Sequence, residues 1–304
     1  MTVGRFEGRV AVVTGAGNGL GRGSALRLAA EGAAVVVVDI DGTAASRVAA
    51  EIGTNAVAVI ADVADESAVE GYVAAAVEAF GRIDLHHLNA GIFGSFAPIP
   101  DITVADFDRV LQVNVRGQFL GLRAAFRQYD RQRSAGAIVL TASIASLTGS
   151  ADLLAYQTSK HATLGLLRGA AMYGGPLGIR VNAVAPGIVP TDLFAGADGA
   201  VGGKTDMVRR ASTTPLRRAG TPADIAGVVA FLMSDDAGYV TGQVVSADGG
   251  ATVVNTVRPS GGAGAWDTAA VDAVTYPGGR RATAPRREDD EGGGERPREG
   301  RDSA

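Results

Sequence analysis

Short apolar segments alternate with longer helix-like segments from about residue 8 to about residue 250, and this order constrains the fold more than any other feature. Several of the apolar segments lack polar alternation, which is typical of strands that are covered on both faces. A repeated strand–helix–strand order predicts right-handed βαβ units. The sequence therefore predicts an α/β fold in which a parallel, doubly wound sheet lies between two layers of helices.

The same pattern indicates where the individual elements lie. The predicted strands are Val10–Thr14, Ala34–Asp39, Ala56–Ala61, Leu85–Asn89, Ala137–Thr141, Ile179–Val184 and Gln243–Ala247. The predicted helices include Leu20–Glu31, Glu66–Phe80, Val104–Arg127, Leu154–Tyr173 and Pro222–Met233. Sheets of this kind bind ligands beyond the carboxyl ends of their strands, so polar side chains that directly follow a strand are candidate site residues.

The composition excludes several classes of protein. A formal net charge of −4 over 304 residues gives no electrostatic reason to expect nucleic acid or an anionic membrane as partner. No apolar run reaches the roughly 18 residues of a membrane span. The absence of cysteine removes disulfides and thiolate metal sites, and three histidines are too few and wrongly spaced for a zinc site. We therefore expect a cytoplasmic protein without a bound metal.

The character of the chain changes near residue 255. Residues 1–255 are long enough for one large α/β domain with a buried core. Residues 256–304 are rich in Gly, Pro and Arg, and they offer little apolar surface to offset the entropy of ordering. We predict a single catalytic domain over 1–255 and a disordered tail over 256–304, with an interaction tail as the alternative.

A glycine-rich turn follows the first predicted strand and leads into a helix. Glycines at such a turn let the backbone approach a pyrophosphate closely, and the helix N-terminus supplies N–H donors and the positive end of its dipole. A lone glycine-rich turn is weak evidence, but here it lies between strand and helix as a dinucleotide site requires. The candidate cofactor residues of this turn are Gly15, Asn18, Gly19, Leu20 and Gly21.

Asp39 ends the second predicted strand and is followed by Ile40. A carboxylate at this position can accept hydrogen bonds from the adenosine ribose and repels a 2′-phosphate. Neither Asn18 nor Ile40 supplies a positive charge to offset that repulsion, so the sequence favours NAD over NADP. The alternative is that Asp39 caps the following helix, a role that Asp41 could fill instead.

Two further groups of residues follow strands on the same predicted edge of the sheet. Asp62 and Val63 come after the third strand, and Asn89-Ala90-Gly91 comes after the fourth. Asp62 could bind the adenine amino group, whereas Asn89 and Gly91 could line the adenosine and its ribose. By spacing alone, each of these residues is as well explained as a turn residue.

Tyr156 and Lys160 are four residues apart on a predicted helix and therefore share a face. A free phenol has a pKa of about 10, too high for a base at neutral pH. We expect the ammonium of Lys160 and an oxidised nicotinamide to favour the phenolate and lower this pKa. Such a pair is commonplace on helix surfaces, so its meaning depends on Ser143 and the other motifs around it.

These motifs occur together in one order and resemble those of the short-chain dehydrogenase/reductase family. The resemblance covers about residues 7–253 and implies a Rossmann-type fold and a nicotinamide-dependent oxidoreductase. The motifs that carry it are the glycine turn Thr14–Gly21, Asp39, Asp62, Asn89-Ala90-Gly91, Asn114, Ser143, Tyr156, Lys160, Pro186–Thr191, Tyr239–Gln243 and Asp248-Gly249-Gly250. Jointly they are highly specific, although each one alone is weak.

The resemblance implies a role for each matching residue. Tyr156 would be the general acid/base, Lys160 would bind the nicotinamide ribose and lower the phenol pKa, and Ser143 would bind the substrate oxygen. Asn114 would bind a water that links Lys160 to solvent. The residues that would form the nicotinamide platform and fix its carboxamide are Pro186, Gly187, Ile188 and Thr191.

Two departures from the family pattern are visible. Leu88 stands where relatives commonly have a second asparagine before Ala-Gly, and we expect little loss because Asn89 is retained. Gly174-Gly175-Pro176 should end the catalytic helix early and could alter a subunit contact. By family analogy we expect a homo-oligomer, a dimer or a tetramer, paired through the two long helices.

The predicted substrate wall is mostly apolar and consists of Phe93, Ile144, Ala145, Leu147, Leu153, Leu193 and Phe194, with Ser143 at the reacting oxygen. A mobile lid is expected near residues 192–215. This lining favours a hydrophobic or alicyclic secondary alcohol, although Lys204, Arg209 and Arg210 could instead receive an acyl carrier or a phosphate.

Three functional hypotheses follow from the sequence. The leading one is an NAD-dependent oxidoreductase that interconverts a secondary alcohol and a ketone. The alternatives are a 3-oxoacyl-thioester ketoreductase and, outside the enzymes, an NAD(H)-sensing binding protein on the same fold. His86 and His87, on opposite faces of the fourth strand, are expected to be packing residues rather than catalytic ones, and His161 should turn away from the Tyr156–Lys160 face.

Overall fold

A computed structural model describes residues 4–150, 153–191 and 211–254 of the chain. Its centre is a seven-stranded parallel sheet with the order β3-β2-β1-β4-β5-β6-β7. The strands are β1 (Val10–Thr14), β2 (Ala34–Asp39), β3 (Ala56–Ile60), β4 (Leu85–Leu88), β5 (Gly136–Thr141), β6 (Ile179–Pro186) and β7 (Val244–Ala247). The parallel, doubly wound sheet that the sequence predicts is confirmed.

Helices cover both faces of this sheet. They are α1 (Gly19–Ala30), α2 (Gly42–Ile52), α3 (Glu66–Phe80), α4 (Val104–Leu111), α5 (Gly117–Gln132), α6 (Leu154–Gly174) and α7 (Pro222–Met233). One face packs mainly against α1, α2 and α7, and the opposite face against α3, α5 and α6. The three-layer α/β/α architecture is therefore as expected.

Several strands are apolar along most of their length because successive side chains pack into the two cores on opposite faces of the sheet. In β2, Val36 and Val38 belong to the core beneath α3 and α5, whereas Val35 and Val37 belong to the core beneath α1 and α2. A half-exposed strand would alternate apolar and polar residues instead. Burial on both faces also explains why the short strand segments could be recognised from sequence.

The strand order reverses next to β1, which pairs with β2 on one side and with β4 on the other. The connections that leave these two strands pass to opposite faces of the sheet. A crevice opens between them at the carboxyl ends of the strands, and ligands of doubly wound folds bind in such a crevice.

Most strand and helix ends differ from the prediction by no more than two residues, and the larger differences concern the helices. The long helix that the sequence predicts over Val104–Arg127 is divided by a π-helical turn, Gln112–Arg116, and it continues to Gln132. α2, an Ala-rich helix between two strands, has no predicted bounds, although the sequence offers Asp39 or Asp41 as its cap. α6 ends at Gly174, where Gly174-Gly175-Pro176 predicts its end, and passes into a short 3₁₀ turn.

The tail predicted over 256–304 lies outside the described residues. Among the residues that are described, no helix is both long and apolar enough to cross a membrane.

Candidate active site

One cavity of about 530 Å³ runs along the carboxyl edge of the sheet, at the crevice beside β1. It brings together residues from nearly every motif in the sequence. The predicted cofactor residues that line it are Gly15, Asn18, Gly19, Leu20, Asp39, Ile40, Asp62, Val63, Asn89, Ala90, Gly91, Tyr156, Lys160, Pro186, Gly187, Ile188 and Thr191. Of the predicted cofactor set, Gly21 alone is not in the lining, since it lies beneath the turn.

The glycine turn is shaped by a left-handed residue and by a close backbone approach. Gly15 has a φ of 63°, in the left-handed region that favours glycine. A Cβ added at Gly21 would lie 2.0 Å from the carbonyl oxygen of Gly15, so no side chain fits there. The turn therefore folds tightly over the start of α1, and Gly19 and Leu20 reach the cavity.

Asp39 contacts the glycine turn with one carboxylate oxygen and the N-cap residue of α2 with the other. Oδ2 accepts a hydrogen bond of 2.8 Å from the Gly17 N–H, and Oδ1 accepts one of 3.0 Å from the Asp41 N–H. The cap of α2 is Asp41, whose carboxylate accepts from the N–H groups of Thr43 and Ala44. The helix-cap explanation of Asp39 is thereby removed, because Asp41 fills that role.

Arg47 is not in the cavity lining, but it contacts two residues of the glycine turn and was not predicted from the sequence. Its Nη2 donates to the Asn18 Oδ1 over 2.8 Å and to the Gly17 carbonyl over 3.3 Å. Gly17 thus contacts Asp39 through its N–H and Arg47 through its carbonyl. This approach could not be anticipated, because it depends on how α2 packs beside the glycine turn and joins residues far apart in sequence.

By spacing alone, the residues after the third and fourth strands are equally well explained as turn residues. In the structure, Asp62 and Asn89 differ in what they contact. Asp62 makes a local turn, in which its Oδ1 accepts from the Ala64 N–H over 2.8 Å, and it also lines the cavity. Asn89 makes long-range contacts, since its Nδ2 donates to the carbonyls of Thr14 (3.0 Å) and Gly15 (3.2 Å). Asn89 therefore ties the end of β4 to the glycine turn.

Tyr156 and Ser143 lie at the other end of the cavity and are almost fully buried, with exposed fractions of 8% and 9%. Burial raises the pKa of the Tyr156 phenol to about 12, and a hydrogen bond with Ser143 acts in the opposite direction. The ring of Phe93 packs on the Tyr156 ring with 4.3 Å between centroids. The phenol thus sits in an apolar environment next to one hydroxyl.

Lys160 lies on the same face of α6 as Tyr156, as the spacing predicts. Its Nζ is 5.5 Å from the centroid of the Tyr156 ring and donates a 2.7 Å hydrogen bond to the Thr141 carbonyl. Burial lowers the pKa of Lys160 to about 8. In the protein by itself, burial dominates the pKa of the Tyr156 phenol, and the expectation that Lys160 and an oxidised nicotinamide lower it together stays a prediction.

Asn114 lies in the π-helical turn and is buried behind the cavity rather than in its lining. Its Oδ1 accepts from the Ile92 N–H (2.8 Å), while its Nδ2 donates to the Ile92 carbonyl and to the Ser159 hydroxyl, both over 2.9 Å. The side chain therefore fixes the segment after Gly91 against α6. A role for Asn114 toward a water remains a prediction.

The substrate wall is partly within the described residues. Phe93, Ala145 and Leu153 line the cavity together with Ile144. Leu147 is not part of this lining, and it is 43% exposed, so its role toward a substrate stays a prediction. The predicted residues that lie outside the described part of the chain are Leu193, Phe194, Lys204, Arg209, Arg210 and most of the expected lid.

The histidines are placed as the sequence indicates. His86 and His87 are fully buried in β4, and their side chains contact Tyr72 and Thr141 on opposite faces of the sheet. His161 is exposed, with its Nδ1 2.9 Å from the Gln157 carbonyl. No cluster of His, Asp and Glu that could hold a metal ion is found in the described part of the chain.

A family model described as enoyl-(acyl carrier protein) reductase matches residues 15–252. The chain is 42% identical over 260 residues to levodione reductase of Leifsonia aquatica, an alignment that covers 81% of this chain and 95% of the relative. It is 38% identical over 251 residues to cyclohexanol dehydrogenase of Acinetobacter sp., covering 82% and 96%.

Solved structures agree with these sequence comparisons. The crystal structure of levodione reductase superimposes with a TM-score of 0.78 at 39% identity and covers 82% of this chain and all of that one. NAD⁺-bound xylitol dehydrogenase gives 0.75 at 39% identity, covering 81% and 99%. A 3-ketoacyl-(acyl-carrier-protein) reductase of Brucella melitensis in complex with NADH gives 0.75 at 35% identity, covering 81% and 98%.

The matched region spans the glycine turn, the cavity and the last strand, so fold, motifs and comparisons concern the same part of the molecule. The chain belongs to the short-chain dehydrogenase/reductase family and is an oxidoreductase.

Proposed function

We propose that this protein is an NAD-dependent enzyme that interconverts a secondary alcohol and a ketone, and that it oxidises a hydrophobic or alicyclic alcohol. The observation that carries the proposal is the continuity of the cavity. One cavity joins the glycine turn and Asp39 to Ser143 and Tyr156. A dinucleotide bound along it would have its adenosine near the carboxylate and its nicotinamide near the phenol.

The residues of the glycine turn fit a dinucleotide. The turn has no side chains at Gly15, Gly19 and Gly21, and the N-terminus of α1 lies beneath it, which suits a pyrophosphate. Pro186, Gly187, Ile188 and Thr191 would hold the nicotinamide. When bound, the nicotinamide ring accepts or donates the hydride.

Tyr156 would move the substrate proton. In oxidation the phenolate takes the proton of the alcohol, and in reduction the phenol returns it to the forming alkoxide. Ser143, which hydrogen-bonds the phenol, would donate to the substrate oxygen and stabilise its developing charge. Because burial alone raises the phenol pKa, ionisation depends on positive charge close to it, namely Lys160 and the oxidised nicotinamide.

Lys160 would bind the nicotinamide ribose with its ammonium. Its hydrogen bond to the Thr141 carbonyl, at the end of β5, keeps the Nζ at the bottom of the cavity. Asn114 would complete the proton path toward solvent.

Asp39 supports NAD rather than NADP as the cofactor. Its carboxylate faces the glycine turn, where it can accept from the adenosine ribose and where it opposes a 2′-phosphate. Two similar solved structures contain NAD⁺ and NADH. Arg47 would favour NADP instead, because its positively charged guanidinium lies at the glycine turn, where it contacts Asn18 and Gly17.

The substrate class is supported by the lining around Tyr156. Phe93, Ile144, Ala145 and Leu153 present apolar surface, which suits a hydrophobic or alicyclic alcohol better than a sugar or a charged acid. A relative that is named for cyclohexanol, an alicyclic secondary alcohol, is consistent with this.

A second candidate function is reduction of a 3-oxoacyl thioester. The description of the matching family model and the similarity to a 3-ketoacyl-(acyl-carrier-protein) reductase crystallised with NADH favour it. An NAD(H)-sensing protein without turnover is less well supported, because Asn114, Ser143, Tyr156 and Lys160 are all present.

The test is a substrate screen with each cofactor. Cyclic and linear secondary alcohols would be incubated with NAD or NADP at alkaline pH, and 3-oxoacyl thioesters with NADH or NADPH. We expect turnover of an alicyclic alcohol with NAD. A preference for thioesters would select the second candidate, equal or better use of NADP would contradict the NAD assignment, and NADH binding without turnover would favour a sensor.

We also propose that the protein pairs with further copies of itself through α4, α5 and α6. A Cβ added at Gly165 or Gly169 of α6 meets nothing within 4 Å, and Phe119 of α5 is 47% exposed. These small and apolar surfaces permit close helix packing. Light scattering that gives the mass of a monomer at working concentration would refute it.

A further inference from the structure

Strand β4 carries two adjacent histidines that take no part in the proposed proton transfer. Both side chains have no exposed surface. The Nε2 of His86 lies 3.1 Å from the Tyr72 hydroxyl, on the face covered by α3. The Nε2 of His87 lies 2.9 Å from the Thr141 hydroxyl, at the end of β5 and next to the cavity. The same residue type is thus placed in two different environments by one strand.

The direction of the bond between His87 and Thr141 follows from their neighbours. The amide group of Asn89 faces the carbonyls of Thr14 and Gly15, which can only accept, so its NH₂ points toward them. The Asn89 Oδ1 must then accept, and the Thr141 hydroxyl donates to it over 3.0 Å. With its single proton committed, Thr141 can only accept from His87, which therefore carries its proton on Nε2.

This arrangement leaves a polar atom of His87 unsatisfied. Its Nδ1 is buried and has no hydrogen-bond partner among the described residues. Burial lowers the pKa of the imidazole to about 3, so the ring is neutral and Nδ1 is a bare acceptor. An aliphatic side chain would fill the position without that cost. What the imidazole adds over an aliphatic residue is the N–H that it gives to Thr141.

Thr141 connects the two ends of the cavity. Its hydroxyl orients Asn89, which in turn holds the carbonyls of Thr14 and Gly15 at the glycine turn. Its main-chain carbonyl accepts the hydrogen bond of Lys160. A residue that fixes the Thr141 side chain therefore acts on the cofactor turn without touching the cavity.

We infer that His87 is a positioning residue whose N–H fixes the Thr141 hydroxyl, so that Asn89 holds the glycine turn in the shape that binds the dinucleotide. The inference rests on the proposed NAD site. It assigns to His87 an effect on cofactor binding, and to His86, one residue away, an effect on folding stability alone.

The first test compares His87→Leu with His86→Leu as a matched control. The dissociation constant of NADH and the KM for NAD would be measured together with kcat and the thermal unfolding midpoint. Loss of one buried hydrogen bond corresponds to about fivefold in binding. We expect His87→Leu to raise both constants by about this factor with a smaller change in kcat. His86→Leu should lower the unfolding midpoint and leave both constants unchanged.

Conservative variants separate positioning from packing. His87→Gln offers an amide N–H in place of the Nε2–H and should restore NADH binding. Thr141→Val keeps the shape but removes the hydroxyl, so it should reproduce the defect, whereas Thr141→Ser should not. In a double-mutant cycle, His87→Leu should add little to Thr141→Val, because both act through the same hydroxyl.

Two outcomes overturn the inference: equal effects of His86→Leu and His87→Leu on NADH binding, or additive effects of His87→Leu and Thr141→Val. If His87→Leu does not fold, two other comparisons of NADH binding test the inference. One is Thr141→Val against Thr141→Ser, and the other is His87→Gln against wild type. Failure of wild-type protein to bind NADH would instead refute the proposed function, so the two failures are distinguishable.

Discussion

The two ends of the cavity are built in different ways. At the adenosine end, Asp39 is half-buried and Asp62 is exposed, and both accept hydrogen bonds from backbone N–H groups. At the chemical end, Tyr156 and Lys160 are almost fully buried, and burial moves the pKa of the phenol up and that of the ammonium down. The adenosine end is formed largely by backbone groups in contact with water. The chemical end is a pocket of buried side chains.

This difference separates binding from chemistry. Backbone N–H donors and closely packed glycines recognise a pyrophosphate by shape. Their geometry changes little when a nearby charge is altered. Buried titratable groups depend on every charge around them, because electrostatic interactions are strong where water is excluded. Changes at the adenosine end should therefore alter cofactor affinity and choice, whereas changes at the chemical end should alter kcat.

The strongest test of this separation is Tyr156→Phe. Removing the general acid/base should lower kcat by about 10² to 10⁴-fold. The dissociation constant of NADH should stay within about twofold, because the glycine turn is untouched. Tyr173→Phe is the matched control, since Tyr173 lies on the same helix, is 68% exposed, and should leave kcat unchanged. Full turnover by Tyr156→Phe would refute the assigned role and favour the sensor hypothesis.

The pH dependence should differ between the two reaction directions. Oxidation needs the phenolate, and burial raises the pKa of Tyr156 to about 12 in the protein alone. Below the operative pKa the phenolate fraction grows about tenfold per pH unit. Single-turnover oxidation should therefore accelerate from pH 7 to 9, whereas reduction, which uses the phenol, should not. An oxidation rate that is flat over this range would show that another group takes the proton.

A smaller effect is expected at the adenosine end from Asp39→Ala. Loss of the carboxylate removes repulsion of a 2′-phosphate, so the preference for NAD over NADP in kcat/KM should fall by about tenfold, mainly through KM. Arg47→Ala added to Asp39→Ala should reverse part of the gain with NADP, because Arg47 is a cation that contacts Asn18 and Gly17. An unchanged cofactor preference in Asp39→Ala would remove Asp39 from the specificity assignment.

Much of the site was accessible from sequence because it is built from segments that follow strands. Asp39 is the last residue of β2, and Gly15, Asn89 and Ser143 lie just beyond strand ends; a parallel sheet brings such ends to one edge. The contact of Arg47 with Asn18 could not be predicted from sequence, because no local pattern in α2 indicates it. The exposure of Leu147 likewise depends on how the segment after β5 turns.

By itself, the sequence determined the order of strands and helices, the family, and the set of residues that the cavity gathers. Hydrophobic periodicity, glycine spacing and the four-residue interval between Tyr156 and Lys160 are local properties, and they are visible along the chain. Only the tertiary structure decided the electrostatic state of that pair and the different partners of His86 and His87. Both depend on burial and on contacts between residues far apart in sequence, and no local pattern encodes them.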